Sequence, residues 1–243
     1  MNLTVDVGNT RIKLGVFDAE NILTSVAQFD ETQTDALQNF CVGFSIERVM
    51  VCASGKIPAA FDIFLKKHYI VFYLTHQSSL PILNNYATPE TLGKDRLAAV
   101  VGAAHLYPHK NCLVIVAGTA LTFNILYENT FLGGTISAGL QMRFNALHHF
   151  TAHLPQLNFE IATTQPFVGD NTTQAINSGV LNGYIAEVEG MIARYEKQFG
   201  ALKIIFSGGN AAWITKNVNR VDVEIEPHIV LIGLNALLQK VQG

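Results

Sequence analysis

The sequence predicts an α/β protein built of two similar halves, and three observations lead to this fold class. Short apolar segments typical of buried strands alternate with longer segments of helical periodicity. A pattern of strand, glycine turn and second strand occurs at the N-terminus and again near the middle, where Gly8 aligns with Gly118 and Asn9 with Thr119. Hydrophobic residues make up 49% of the 243 residues and charged residues only 14%, which indicates much buried surface.

The internal repeat also predicts where the chain divides. It aligns Asp6 with Val116, so the second copy begins soon after the loop at 108–111. We therefore expect an N-terminal α/β lobe at 1–110 and a C-terminal α/β lobe at 111–243, with the active site in the cleft between them. Because the repeat is short, chance similarity is the alternative explanation.

The N-terminal half begins with a strand, a tight turn and a second strand. The run from Leu3 to Val7 is rich in β-branched residues, and apolar residues alternate from Ile12 to Val16 after the turn at Gly8-Asn9. The same patterns predict helices at 32–44, at 58–68 and from Lys94 or Asp95 to Leu106, strands at 47–53 and 69–74, and a loop at 81–92.

The C-terminal half repeats this beginning. An apolar strand at 112–117 meets the turn at Gly118-Thr119, and a second strand follows at 121–126. The later segments predict helices at 140–149, at 172–198 and from Ile229 to about Lys240, with a strand at 202–207 that ends at Gly208-Gly209.

Composition argues against several classes of protein. A net charge of -3 without a basic stripe argues against nucleic-acid binding, which needs clustered Lys and Arg. The sequence has no basic, apolar signal peptide and no run of about 18 apolar residues, so we expect no membrane span. Three scattered cysteines without a CxxC pair predict reduced, buried thiols in a cytosolic protein.

The octet from Asp6 to Lys13 is the first candidate site. A glycine turn between strands can point backbone N–H groups at phosphate oxygens, and the short side chains of Asn9 and Thr10 add donors. An ionised Asp6 at the end of a buried strand needs a partner, which a hydrated Mg²⁺ bound to phosphates would supply. The alternative is a plain β-hairpin, since Asn-Gly-type sequences favour such turns.

The second candidate is the tetrapeptide Gly93-Lys94-Asp95-Arg96. Asp95 could act as a general base toward an attacking hydroxyl, and the planar fork of Arg96 suits an anionic group such as a carboxylate. The alternative is that Asp95 caps the helix that follows.

Two further glycine turns could contact a nucleotide. Thr119 could donate to a terminal phosphate, and the segment 207–210, Ser-Gly-Gly-Asn, could let the backbone lie against a purine or ribose. The alternative for both is that the glycines simply end their strands.

Taken together, these motifs resemble type III pantothenate kinases over nearly the whole chain. The resemblance implies the two-lobed, duplicated actin-like ATPase fold of sugar kinases, heat-shock ATPases and actin, with ribonuclease-H-like halves. It also implies a cytoplasmic homodimer that uses ATP and Mg²⁺ to phosphorylate pantothenate, the first step of coenzyme A synthesis. The motifs that carry the resemblance are Asp6-Val7-Gly8-Asn9-Thr10-Arg11-Ile12-Lys13, Gly93-Lys94-Asp95-Arg96, Gly118-Thr119-Ala120, Gly133-Gly134-Thr135-Ile136, Asn171-Thr172 and Ser207-Gly208-Gly209.

The resemblance assigns roles position by position. It implies that the octet is the ATP phosphate loop, with Asp6 on the Mg²⁺ side through water, and that Thr119 contacts ATP. It implies that Asp95 is the proton acceptor. The substrate contacts it implies are Tyr86, Gly93, Lys94, Asp95, Arg96 and Thr172.

Two positions depart from the family pattern. One is Ala138, where the family tends to have a proline before Gly139, and we interpret this change as structural only. The other is position 116. Where the family usually has an aspartate that ligates a monovalent cation, this chain has Val116. A valine side chain has no ligand atom, so we expect the K⁺ or NH₄⁺ requirement to be lost.

Two other classes of function compete with this interpretation. One is a regulatory protein of the same fold that senses nucleotide or pantothenate without turnover, and the intact Asp95 and octet argue against it. The other is a kinase for a different small hydroxy acid or a phosphatase of the same superfamily. Tyr86 and the loop at 93–96 favour pantothenate.

Overall fold

The structure is a computed structural model that describes residues 1–160 and 166–241. The strands are β1 Asn2–Val7, β2 Ile12–Phe17, β3 Leu23–Phe29, β4 Arg48–Ala53, β5 Ile70–Tyr73, β6 Leu83–Asn84, β7 Cys112–Ala117, β8 Ala120–Tyr127, β9 Thr130–Ala138, β10 Lys203–Ser207 and β11 Val223–Ile225. The helices are α1 Thr34–Val42, α2 Ala59–His68, α3 Lys94–Leu106, α4 Leu140–His149, α5 Thr172–Phe199, α6 Ala211–Asn217 and α7 Ile229–Lys240.

The two sheets share one strand order, which confirms the predicted duplication. The first sheet runs β3-β2-β1-β4-β5, and the second runs β11-β10-β7-β8-β9-β6. When the second sheet is listed from its other edge without the two-residue β6, its order is β9-β8-β7-β10-β11. This order repeats the first sheet, with β7 in the place of β1 and β10 in the place of β4. In both sheets this central pair is parallel. The sequence repeat at Gly8 and Gly118 therefore marks the first turn of each copy.

The described residues group into two compact units. The first contains residues 1–110, the segment 124–133 and the chain from His228 onward. The second contains residues 111–123 and 134–227. The strands β8 and β9 each contribute residues to both units, because the segment 124–133 includes the end of one and the start of the other.

Two closely packed helices, α3 and α7, lie against the sheet of the first unit. A Cβ atom on Gly102 of α3 would lie 2.2 Å from the carbonyl oxygen of Ile229, and one on Gly233 of α7 would lie 1.9 Å from that of Ala98. The backbones of α3 and α7 therefore touch, with no room for a side chain at either glycine. Because α7 also packs on β1 and β4, this contact fixes the start of α3 relative to the end of β1.

The strand β2 is more buried than its sequence pattern predicts. Ile12, Leu14 and Val16 are core residues, but Gly15 and Phe17 on the opposite face are buried as well. The reason is α7, whose Leu231 side chain would lie 3.1 Å from a Cβ on Gly15.

Most predicted elements are present, and several strands were not predicted. The helices at 94–106 and 140–149 match their predicted bounds. The strand β3 was missed because its residues alternate only between exposed and half-buried positions, and β9 because Gly133 and Gly134, both with positive φ, interrupt it. The predicted loop at 81–92 contains the short β6, which pairs with β9.

The cysteines match the prediction, since Cys41, Cys52 and Cys112 are free and buried. None of the helices described is both long and apolar enough to cross a membrane.

Candidate active site

The turn between β1 and β2 is a hairpin whose ends are buried and whose tip is exposed. The amide of Gly8 donates to the carbonyl oxygen of Arg11 at 3.0 Å. Val7 and Ile12 are core residues, so their side chains face away from any ligand, whereas the segment 9–11 is exposed. Within the octet, the groups that can contact a phosphate are therefore the backbone amides and the side chains of Asn9, Thr10 and Arg11.

A second loop, which sequence reasoning missed, supports this turn. The amides of Ser54 and Gly55, just after β4, donate to the carbonyl oxygen of Val7 at 2.9 and 3.0 Å. A Cβ on Gly55 would lie 2.4 Å from the carbonyl oxygen of Gly8, so the loop needs a glycine there. The sequence feature that marks this loop is the dipeptide Ser54-Gly55, which recurs as Ser207-Gly208 where β10 ends.

The second unit contains the corresponding arrangement in a shorter form. Gly118 donates to the carbonyl oxygen of Ala120 at 3.0 Å, and Thr119 is exposed at the tip. A Cβ on Gly208, after β10, would lie 2.4 Å from the carbonyl oxygen of Ala117. The Ser-Gly loop therefore lies against the first turn in both units, which gives these glycines a packing role.

Asp6 is the most unusual charged group in the first unit. Its Oδ1 atom is buried and has no hydrogen-bond partner among the described residues. Its cross-strand neighbours are Lys13 on β2 and Cys52 on β4. Burial, reinforced by the negative charge of Asp95, raises the pKa of Asp6 to about 6, although Lys13 acts in the opposite direction.

An unpartnered carboxylate oxygen at the end of a strand fits a hydrated cation. Mg²⁺ keeps several of its waters and prefers carboxylate and phosphate oxygens, so Asp6 would hold it through water. When bound, the ion would offset phosphate charge and remove the cost of burying Asp6 as an anion.

Asp95 lies in the first turn of α3, close enough to Asp6 for their charges to interact. The helix begins at Lys94 with Gly93 as its N-cap, and no side chain of the described residues makes a capping hydrogen bond there. The alternative that Asp95 caps the helix is therefore wrong. A Cβ on Gly93 would lie 2.8 Å from Asp95 Oδ1, so this glycine makes room for the carboxylate.

Arg96 and Tyr86 form a second group in the first unit. The Arg96 side chain is buried, its Cζ lies 5.7 Å from the ring centre of Tyr86, and Tyr86 is stacked with Phe131 at 6.1 Å. Arg96 Nε donates to Asn124 Oδ1 at 2.7 Å. Sequence reasoning found Arg96 and Tyr86, but it missed Phe131 and Asn124.

The remaining predicted site residues belong to the second unit. Thr172 is exposed at the start of α5, where Asn171 caps the helix by accepting from the amide of Gln174 at 3.0 Å. Val116 lies partly buried in β7, beside Ser207 of β10. The first unit thus contains Asp6, Lys13, Tyr86, Asp95 and Arg96, and the second contains Val116, Thr119 and Thr172.

Comparisons with known proteins agree with these features. Residues 2–194 match the protein family described as type III pantothenate kinase. A type III pantothenate kinase from Flavobacterium johnsoniae is 39% identical over 223 residues, which covers 90% of this chain and 89% of the relative.

Solved structures confirm the predicted actin-like fold class. A protein from Listeria monocytogenes described as a candidate N-acetylmannosamine kinase superposes with a TM-score of 0.58 at 11% identity, over 100% of this chain and 99% of its own. A protein from Campylobacter jejuni described as a candidate Baf family transcriptional activator gives a TM-score of 0.64 at 18% identity, over 99% and 98%.

Replacing the buried carboxylate of Asp6 tests its electrostatic cost. Because the folded-state pKa is raised, the protein loses stability as the pH rises through about 6, and Asp6→Asn removes that loss. At pH 8 without Mg²⁺ we expect Asp6→Asn to raise the free energy of unfolding by about 1–3 kcal/mol, with the gain shrinking toward pH 4. Denaturant titrations across this range measure it.

The exposed Asp35, in the first turn of α1, offers a control, and Asp35→Asn should change the unfolding free energy at pH 8 by no more than about 0.5 kcal/mol. A loss of stability in Asp6→Asn at pH 8 would contradict the account of Asp6.

Proposed function

The chain belongs to the type III pantothenate kinase family, and we propose that it transfers the γ-phosphoryl group of ATP to the primary hydroxyl of pantothenate, the first step of coenzyme A synthesis. The observation that carries this proposal is the pair of carboxylates Asp6 and Asp95, one at the end of a central strand and one at the start of a helix. The free, buried thiols support a location in the reducing cytoplasm.

The β1–β2 turn and Asp6 serve the nucleotide. Phosphoryl transfer depends mainly on positioning and on charge stabilisation. The exposed residues 9–11 would hold phosphate oxygens with backbone and side-chain donors, while Asp6 would hold Mg²⁺ through water. Lys13, beside Asp6 on β2, adds positive charge for the phosphates, and Thr119 is proposed to contact ATP from the second turn.

Asp95 and its neighbours serve the acceptor. Asp95 would orient the hydroxyl and accept its proton as the phosphoryl group arrives. Arg96, whose buried Nη2 atom has no hydrogen-bond partner among the described residues, would bind the carboxylate of pantothenate, and the ring of Tyr86 would line the pocket. Gly93 and Lys94 shape the loop around Asp95, and Thr172 is proposed as a further substrate contact.

We propose that no monovalent cation is required. Val116 offers only a hydrocarbon side chain, whereas K⁺ needs oxygen ligands.

An apolar groove of the second unit supports the proposal of a homodimer. The groove has a volume of about 810 Å³ and is lined from α4 and α5, by Ala146, Leu147, Ala175 and Val180 among others. Phe150, which also lines the groove, is 81% exposed. Exposed apolar surface of this kind marks contact sites, and a second copy of this chain is the occupant that the family resemblance implies.

Removing the proposed base should abolish most of the turnover. Asp95→Asn keeps the shape of the side chain but accepts no proton, so we expect kcat to fall by about 10²–10⁴ while ATP binding persists. Asp35→Asn also removes a carboxylate from the first turn of a helix and serves as the matched control. Turnover of Asp95→Asn near that of wild type would refute the assignment.

The cation proposal predicts a rate that is insensitive to K⁺. Steady-state kcat/KM for pantothenate should agree within about twofold in K⁺, Na⁺ and tetramethylammonium salts at equal ionic strength, because Val116 leaves no ligand to lose. A rate that rises steeply with K⁺ alone would show that other groups form a cation site.

The dimer proposal predicts that a charge in the groove separates the subunits. Wild type should sediment as two chains of 26.6 kDa each, and Leu147→Glu as one chain, because the new carboxylate would be buried without a partner. Ile63→Glu, at an exposed apolar position on α2, is the control and should stay dimeric. A wild-type protein that is monomeric at micromolar concentrations would contradict the proposal.

A further inference from the structure

Asn124 makes a buried contact with Arg96 that none of the sequence motifs anticipated. It lies in β8 with 0% of its surface exposed, and its Oδ1 atom accepts a hydrogen bond from Arg96 Nε at 2.7 Å. A bond of this length to a charged donor is strong, and the low dielectric around it makes it stronger. Asn124 therefore fixes one edge of the guanidinium.

Two aromatic rings lie close to the same guanidinium. The Cζ atom of Arg96 lies 5.7 Å from the ring centre of Tyr86 and 6.0 Å from that of Phe131. These two rings are nearly parallel, with 5° between their planes. The hydrogen bond to Asn124 and the two neighbouring rings together restrict the positions that the guanidinium can take.

The guanidinium still has donor capacity after these contacts. Arg96 is 5% exposed, and its Nη2 atom is buried without a hydrogen-bond partner in the described residues. Among the ion pairs found there, none includes Arg96. Leaving a buried donor unpaired costs about 1–3 kcal/mol, and more for a charged group. An anion bound at Nη2 would remove that cost.

The chemical identity of residue 124 matters because an amide is neutral. An asparagine orients the guanidinium and leaves its positive charge available to a ligand. An aspartate of the same shape would form an ion pair with Arg96 and would compete with an anionic ligand for it.

We propose that Asn124 is a positioning residue that holds the Arg96 guanidinium for the carboxylate of pantothenate and so makes the enzyme select an anionic acceptor. This inference rests on the proposed function. It assigns Asn124 no contact with the reacting hydroxyl, so its replacement changes acceptor binding and leaves the transfer step intact.

Two nearly isosteric variants and two acceptors test the role. Pantothenate carries the carboxylate, and panthenol, its alcohol analogue, has a CH₂OH group there instead and keeps the reacting hydroxyl. For Asn124→Asp we expect the KM for pantothenate to rise at least about tenfold, which corresponds to about 1.4 kcal/mol, with kcat within about threefold. The KM for panthenol should change by less than about twofold.

The second variant is Asn124→Leu, which removes the acceptor and keeps the charge of Arg96. It should also raise the KM for pantothenate and leave that for panthenol unchanged. A variant that phosphorylates panthenol with the same kcat and KM as the wild-type enzyme is shown by that result to be folded.

The outcomes separate this inference from the proposed function. Suppose that wild type phosphorylates pantothenate, and that the variants raise the KM for pantothenate and for panthenol by the same factor or change neither KM. The positioning role is then overturned, and the kinase assignment stands. If wild type does not phosphorylate pantothenate, the proposed function fails, and this inference fails with it.

Discussion

The buried carboxylate of Asp6 is the constraint on which the arrangement of the first unit depends. It lies at the end of the central strand β1 and is close enough to Asp95 to repel it. One of its oxygens has no hydrogen-bond partner in the part of the chain that the structure describes. The free-energy cost of burying an unpaired charge is far larger than the stabilisation that a typical hydrogen bond provides. A buried carboxylate of this kind therefore indicates a partner that is bound during function. A cation with its phosphates is the partner that would make this arrangement favourable.

The packing of α3 on α7 keeps that arrangement in place. Gly102 and Gly233 allow the two helix backbones to touch, and α7 in turn lies on β1 and β4. The first turn of α3 carries Asp95 and Arg96, so the helix contact sets where the proposed base and the acceptor-binding cation stand relative to Asp6. Asn124 and the rings of Tyr86 and Phe131 then orient the guanidinium.

Local signals in the sequence predicted much of the fold and part of the candidate site. The strand–turn–strand at Asp6 to Lys13 and the bounds of α3 follow from periodicity and glycine placement, which are local properties. The weakly alternating β3 has no such signal. Asn124 could not be predicted, because a single polar residue in an apolar strand gains its meaning only from Arg96, 28 residues away in the chain.

Coupling of ATP consumption to the phosphorylation of pantothenate is the property that distinguishes a pantothenate kinase from a protein that only senses its ligands. The most direct measurement incubates the purified protein with Mg²⁺ and ATP, with and without pantothenate, and records ATP consumption together with the mass of the acceptor. We expect ATP consumption that depends on pantothenate and a product that is heavier than pantothenate by one phosphoryl group. Consumption that pantothenate does not change, or a pantothenate that stays unmodified, would contradict it.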